Sequence, residues 1–456
     1  MITPHLFKDK TMAVLGLGRS GRSVAKALVR AGARVLAWDD QEKSRKTAQE
    51  EGVPLVGLHT VAWNQVDHLV LSPGIPHHYP APHPLVARAQ LAGLQPISDI
   101  EILCLSQPQA TYIGITGTNG KSTTTTLIGH VLQDNKVKRE VGGNLGIPVM
   151  DLQPLEKGGF YVLELSSYQL EITPSLHCHI SVLLNITPDH LERHGGMEGY
   201  IAAKKLIYKN ATPQDVLVIS VDDSHCLTLH ESLRDVGGVK LIPISTCKRL
   251  DDGISVKEGT LYENGQAIIS LKDFDCLRGQ HNWQNIAAAF GVLRSVGLSA
   301  EAITKSIASF PGLAHRQQQV AQYKNITFIN DSKATNAEAV AKALACYRDN
   351  PLYVLFGGRP KEGGIGSLRP YFPSLTHAFL YGEAASAFAL TLEGKVPYTL
   401  CETLQEATQA AAGLALKENK PDAVVLLSPA CASWDQFQDF EVRGEVFCEV
   451  VREICA

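Results

Sequence analysis

The sequence predicts an α/β protein of three domains. These are a Rossmann-like N-terminal domain (1–99), a central P-loop ATPase-type α/β domain (100–311) and a Rossmann-like C-terminal domain (312–456). Three observations carry the prediction. A glycine turn, Gly16-Leu17-Gly18-Arg19-Ser20-Gly21, closes a strand and opens a helix near the start of the chain. A second one, Gly117-Thr118-Asn119-Gly120-Lys121-Ser122-Thr123, does the same in the middle. From about Pro311 onward, apolar strand runs and helical patterns alternate again.

The first domain opens with Met12-Ala13-Val14-Leu15 as a strand, the GxGxxG turn, and a helix to about Ala31. Arg34-Val35-Leu36-Ala37-Trp38 is the next strand and ends at Asp39 and Asp40, which completes a βαβ unit. Asp67 to Leu71 is a third strand, closing on Ser72-Pro73-Gly74-Ile75-Pro76, and the His- and Pro-rich stretch from His77 to Pro84 is a loop. In the second domain Tyr112 to Ile115 is a strand, and Thr124 to Leu132 is helical. Phe160 to Leu165 and His179 to Ile186 are near-continuous apolar runs, as expected of strands buried on both faces of a parallel sheet. Gly253 to Ser270 alternates between turn signals and predicts a small β appendage, and Asn282 to Val296 is a helix. The third domain has strands at Ile326 to Ile329, Leu352 to Phe356 and Ala423 to Leu427, with a helix from Glu402 to Glu418.

Strand, glycine turn and helix together point backbone N–H groups and a helix N-terminus at phosphate oxygens. Gly117 and Gly120 let the backbone approach, Lys121 supplies a point charge near the β- and γ-phosphates, and Ser122 offers a hydroxyl to Mg²⁺. The strict Walker pattern wants Gly at position 115, where this chain has Ile. Five strand ends carry more charge and hydroxyl than helix capping needs: Glu164 to Gln169, Asn185 to His190, Asn330 to Asn336, Gly357 to Lys361, and Ser428 to Ser433. His190-Leu191-Glu192-Arg193-His194 has the spacing of a zinc hydrolase helix, but its Glu is one place late. In His177-Cys178-His179, alternation along a strand sends the Cys away from both His, which argues against a metal cluster.

Composition narrows the classes. The chain has 456 residues, 45% hydrophobic and 19% charged, with net charge −4. That is an ordinary globular composition without the basic excess of a nucleic-acid binder. No run approaches the roughly 20 apolar residues of a membrane span, and the first ten residues lack a signal-peptide core. Ten Cys without a C-x-x-C pair fit free thiols in a reducing cytoplasm, so the sequons at Asn185, Asn210 and Asn325 carry no glycosylation meaning. The expectation is a cytoplasmic monomer that engages neither nucleic acid nor membrane.

The chain resembles the Mur ligases, ATP-dependent amide-bond ligases of bacterial cell-wall precursor synthesis. The resemblance spans the whole sequence. It rests on Leu71 to Ile75, Gly117 to Thr123, Gly142-Gly143-Asn144-Leu145-Gly146, Glu164 to Glu171, Asn185 to Arg193, and Ala202-Ala203-Lys204. Gly279 to Asn282, His315-Arg316, Asn330 to Asn336 and Leu427 to Phe437 complete it. Asn330 to Asn336 and Ser428 to Phe437 point to the glutamate-adding branch.

The resemblance implies ATP and Mg²⁺ as cofactors, and UDP-N-acetylmuramoyl-L-alanine and D-glutamate as small-molecule substrates. It implies Lys121, Glu164, His190 and Lys204 as catalytic residues. Ser122, Glu164, His190 and a carbamylated Lys204 are implied around the metal. Gly117, Thr118, Asn119, Gly120, Lys121, Ser122, Thr123, Asn282, Arg316 and Asp331 are implied around ATP. Gly18, Arg19, Ser20, Asp39, Asp40, Gly74 and Asn144 are implied for the UDP substrate. Lys333, Thr335, Lys361, Ser433 and Phe440 are implied for D-glutamate, with Trp434 standing where an aliphatic residue is expected. Two other readings remain open on the residues: a nicotinamide-dependent oxidoreductase built on Gly16-x-Gly18-x-x-Gly21, and a non-catalytic nucleotide-binding module.

Overall fold

The computed structural model describes all residues but 273, 275, 276, 278 and 362, and all described side chains but that of His281. The chain forms two compact units, Met1–Asp273 with Gln280–Phe310, and Phe274–Gly279 with Pro311–Ala456.

The first unit holds two sheets. A four-stranded parallel sheet runs in the order Arg34–Trp38, Thr11–Leu15, His68–Leu71, Pro96–Ile97. The second sheet has nine strands, and Thr111–Thr116 lies in it between Ile180–Leu183 and Phe160–Glu164. Its other strands are Arg139–Gly143 at one edge, then Val216–Ser220 and Lys240–Ser245 on the far side. Three short strands follow, Ile254–Lys257, Thr260–Glu263 and Gln266–Ser270. They are the small β appendage that alternation suggested, and it is attached to the main sheet. Ile254–Lys257 pairs in parallel with Lys240–Ser245, so all three prolong the main sheet. The long apolar run at 179–186 also yields a shorter strand than expected. It ends at Leu183, because Asn185 turns away to bond the phosphate loop.

Burial explains the layering. Met12 and Val14 on one strand, Val24 and Leu28 on the helix Arg19–Arg30, and Tyr161 and Leu163 on Phe160–Glu164 of the larger sheet share one apolar cluster. The two sheets of this unit are thus joined by a common core rather than by a bare linker. Burial of each such side chain contributes on the order of 1.5–3 kcal/mol.

The second unit is a six-stranded sheet. Its order is Gln318–Tyr323, Ile326–Asn330, Ala423–Leu427, Leu352–Gly357, Leu375–Tyr381, Tyr398–Leu400. Only the first pair is antiparallel. Apolar clusters cover both faces, one around Val354, Phe356 and Leu426, the other around Tyr353, Leu355 and Val425. That alternation along single strands accounts for their continuous hydrophobic runs. No helix among the described residues is long and apolar enough to cross a membrane.

Candidate active site

The loop after strand Thr111–Thr116 is built around two left-handed glycines. Gly117 has φ +154°, and a Cβ there would lie 2.9 Å from that of Leu184. Gly120 has φ +84° and caps helix Lys121–Asp134; a Cβ there would lie 2.2 Å from Asn285 Oδ1. Only glycine fits both places. The helix therefore presents its N-terminal N–H groups at the loop. Asn185 braces the loop by accepting from Asn119 N (2.8 Å) and donating to Asn119 O (3.2 Å). Thr118 bonds Thr187 O and Tyr200 OH, each at 3.1 Å. Asn282, on helix Gln280–Val296, accepts from Asn285 (3.1 Å), whose own Oδ1 accepts from Thr124 (3.2 Å). Ser122 and Thr123 form the first turn of the loop's helix.

Two lysines converge on one carbonyl. Lys121 Nζ donates to Gly117 O at 2.9 Å and to Thr118 O at 2.8 Å. Lys204 Nζ donates to Gly117 O at 2.8 Å from a side chain that is 1% exposed. Burial, reinforced by the Lys121 charge, lowers its pKa to about 7. The amine is therefore substantially neutral near physiological pH.

Glu164 ends its strand in the interior. Its Oε1 accepts from Asn144 Nδ2 at 2.9 Å, and Oε2 is buried with no hydrogen-bond partner. An orphaned anionic oxygen is costly unless something else meets it, and a hard cation would. His190 sits at φ +52° as the N-cap of the short turn Leu191–His194 and is largely exposed. Its Nε2 lies 3.5 Å from Asp189. Among the described residues no group of three or more His, Cys, Asp or Glu is placed to hold a metal. The stacked rings of His177 and His179 face Asp215 and the Tyr112 amide instead, and Cys178 is buried.

A cleft of about 270 Å³ opens between the two sheets of this unit. Its walls are Gly18, Arg19, Ser20, Ser72 and Pro73 on one side and Gly143 to Gly146, Pro148 and Gln169 on the other. Gly18, Arg19, Ser20 and Asn144 thus come together as expected. Asp39, Asp40 and Gly74 lie outside its walls. Asp39 accepts from Leu17 N (2.7 Å) and Gln41 N (2.8 Å), which fixes the glycine turn. Asp40 accepts from Trp38 (3.1 Å) and pairs with His83 (2.9 Å), chiefly the latter holding its pKa low.

The second unit gathers the other expected residues at the carboxyl ends of its strands. Asp331 is buried; its carboxylate accepts from Gln317 N (3.1 Å) and Ser428 Oγ (2.9 Å). Burial outweighs these bonds and raises its pKa to about 7. The Arg316 amide bonds Leu313 O at 3.2 Å, and the Arg316 charge acts on Asp331. Lys333 Nζ stands 3.6 Å over the Phe440 ring, and Thr335 N bonds Lys333 O at 2.8 Å. Ser433 is buried, Lys361 is exposed, and Trp434 is 68% exposed. Arg443, fully buried, ties Ser332 (2.9 Å) to Cys431 O (3.1 Å), and so holds the loops of Lys333 and Ser433 together.

Asn285 and Arg443 are supporting residues outside the motifs, while Asn185 and Gln169 lay within motifs but had no role of their own. The i, i+3 spacing of Asn282 and Asn285 on one helix was a usable signal for the second. Nothing local marks Arg443 as buried.

Comparison with known proteins agrees with this architecture. Residues 115–293 match the Mur ligase middle domain, and 315–431 the Mur ligase glutamate ligase domain. Residues 2–96 match the NAD-binding domain of D-isomer specific 2-hydroxyacid dehydrogenases. The chain is 50% identical over 452 residues to the UDP-N-acetylmuramoylalanine–D-glutamate ligase of Paramagnetospirillum magneticum, covering 99% of this chain and 98% of that one. It is 47% identical to the like-named protein of Rhodospirillum rubrum, covering 100% and 97%. Among solved structures, UDP-N-acetylmuramate–alanine ligase from Thermotoga maritima shares the fold with TM-score 0.61 at 17% identity, covering 98% and 99%.

Proposed function

The chain belongs to the Mur ligase family, and from that membership we propose that it joins D-glutamate to UDP-N-acetylmuramoyl-L-alanine at the cost of ATP in peptidoglycan precursor synthesis. The observation that carries the reading is full-length identity of 50% to a D-glutamate ligase, over a chain with a formed phosphate loop. The N-terminal glycine turn then serves the uridine diphosphate end of the substrate rather than NAD. A dehydrogenase reading leaves the phosphate loop and the whole second unit without work.

The reaction has a definite physical problem. A carboxylate resists attack by an amine because it is resonance-stabilised and negatively charged. Transfer of the γ-phosphoryl group onto the alanyl carboxylate gives an acyl phosphate and ADP. The amine of D-glutamate attacks its carbonyl, a tetrahedral intermediate forms, and phosphate leaves as the amide closes. Lys121 and the helix N-terminus offset charge on the nucleotide phosphates. Asn282, Arg316 and Asp331 serve the nucleotide.

Glu164, through its orphaned oxygen, with Ser122, His190 and a carbamate on Lys204, would hold Mg²⁺. When bound it would neutralise phosphoryl charge. Carbamylation suits a buried amine with lowered pKa, since the neutral form attacks CO₂, forming N–C and releasing one proton. Lys333, Thr335, Lys361, Ser433 and Phe440 form the D-glutamate pocket: cations and hydroxyls for two carboxylates. Gly18, Arg19, Ser20, Asn144, Gly74, Asp39 and Asp40 serve the UDP substrate. The enzyme works as a cytoplasmic monomer.

The test is product analysis. Incubation with ATP, Mg²⁺, UDP-N-acetylmuramoyl-L-alanine and D-glutamate should yield the glutamyl product, ADP and phosphate in equal amounts. ATP turnover with no nucleotide-linked amide product would remove the reading.

A further inference from the structure

The loop carrying Gly74 and the turn carrying His190 are fastened to each other by a side chain to which no role has yet been given. Arg193 Nη1 donates to Gly74 O at 2.9 Å. Its guanidinium lies 4.5 Å over the ring of Tyr168. That ring is itself stacked on His194 at 5.3 Å and tilted against His190 at 5.3 Å. His194 is anchored in turn to Ser167 (2.9 Å) and Glu171 (3.2 Å). A second contact runs alongside: Gly195, at φ +68°, lies so near the Tyr79 ring that a Cβ would approach it to 2.8 Å. The first-sheet loop from Gly74 to Tyr79 therefore rests on the turn 190–195 at two points, of which only Arg193 carries charge.

We propose that Arg193 is a positioning residue: it locks the Gly74 loop, at the UDP end of the substrate, to the His190 turn, at the reacting carboxylate. The UDP end of the ligand is bound by a loop that must be held still, so freeing the Gly74 loop from the His190 turn weakens binding of that end. The Gly74 carbonyl accepts from Arg193 while the Ile75 N–H of the same peptide donates to Ser72 O at 3.0 Å, so that peptide plane is fixed from both sides. The planar guanidinium is suited to this position, since it stacks on Tyr168 and donates at its edge together. Lysine can donate but cannot stack. The inference rests on the reading of this site as a UDP-substrate ligase.

The experiment uses the full chain. Arg193→Lys, Arg193→Ala and Tyr168→Leu are compared with wild type in two measurements: calorimetric binding of UDP alone, and steady-state kinetics with UDP-N-acetylmuramoyl-L-alanine varied at saturating ATP and D-glutamate. Loss of a charge-assisted bond predicts a KM for the UDP substrate raised about tenfold in Arg193→Ala. Arg193→Lys should show a smaller rise, Tyr168→Leu should follow it, and KM for ATP should stay within about twofold. UDP affinity should fall in parallel. A variant with unchanged KM for the UDP substrate and reduced kcat alone would overturn the proposal, because lost folding does exactly that. If Arg193→Ala fails to fold, Arg193→Lys decides. A wild-type protein that binds UDP but ligates nothing refutes the functional reading, and UDP affinity across the variants then still decides the role of Arg193.

Discussion

Replacing Asp99 by asparagine should stabilise the protein at neutral pH. Asp99 opens the helix Asp99–Ser106 and is 3% exposed. Its Oδ1 accepts from Ile100 N at 3.0 Å, while Oδ2 is buried without a partner. Burial outweighs that bond and the nearby Gln169 and Ser20, and raises its pKa from 3.8 to about 6. The folded chain thus binds this proton more tightly than the unfolded chain does. Stability is full below the unfolded value, falls as pH rises from about 4 to about 6, and stays reduced above. At about 1.4 kcal/mol per pK unit, the carboxylate costs about 3 kcal/mol at pH 7. Asparagine keeps the shape and the bond to Ile100 and does not titrate. Urea unfolding can be followed by tryptophan fluorescence, since Trp63 is buried in the same unit. At pH 7 the variant should exceed wild type by roughly 2–3 kcal/mol, and the gap should narrow to about 1 kcal/mol by pH 4.5. Parallel pH profiles, or a variant less stable at pH 7, would refute the reasoning.

In CO₂-free buffer, where Lys204 is the free amine, Lys204→Met should raise the unfolding midpoint at pH 7, and in the assay it should abolish ligation. The folded amine has its pKa lowered to about 7, so wild-type stability rises with pH from about 7 toward 10.5, and the variant should lack that rise. A destabilised Met variant would count against it. Gly120→Ala, at φ +84° with Asn285 Oδ1 2.2 Å from the new Cβ, should weaken ADP binding by at least about tenfold; unchanged calorimetric affinity would sink the assignment. Glu164→Gln should raise the Mg²⁺ concentration giving half-maximal activity while leaving the melting temperature equal or higher, because the buried unpartnered oxygen loses its charge. An unaltered Mg²⁺ titration would exclude Glu164 from the metal.

Much of the fold was legible because its strands are buried on both faces. Arg34–Trp38, Ala423–Leu427 and the two glycine turns are where periodicity and turn chemistry place them. The antiparallel edge strand Gln318–Tyr323 was not legible, since its exposed face lets polar residues stand where a core strand would not. Nor did the chain announce that 254–270 joins the main sheet, because pairing partners far apart in sequence leave no local pattern. For the site, glycine spacing disclosed the phosphate loop, but burial disclosed Lys204 as a lowered-pKa amine and Glu164 as a half-satisfied carboxylate. Those properties depend on what surrounds a side chain. Asp39 illustrates the converse: its place at a strand end suggests a ligand contact, yet two backbone amides already use its oxygens.

Amide formation to D-glutamate through an activated carboxylate ties phosphate release to the amino acid supplied. The most direct measurement is phosphate release with ATP, Mg²⁺ and UDP-N-acetylmuramoyl-L-alanine as each amino acid is added in turn. D-glutamate should support release, and L-glutamate and D-alanine should fall short by more than about 10⁴-fold, since they leave donors of the pocket unpaired, the buried Ser433 hydroxyl among them. Faster release with diaminopimelate, lysine or L-alanine than with D-glutamate would contradict the account.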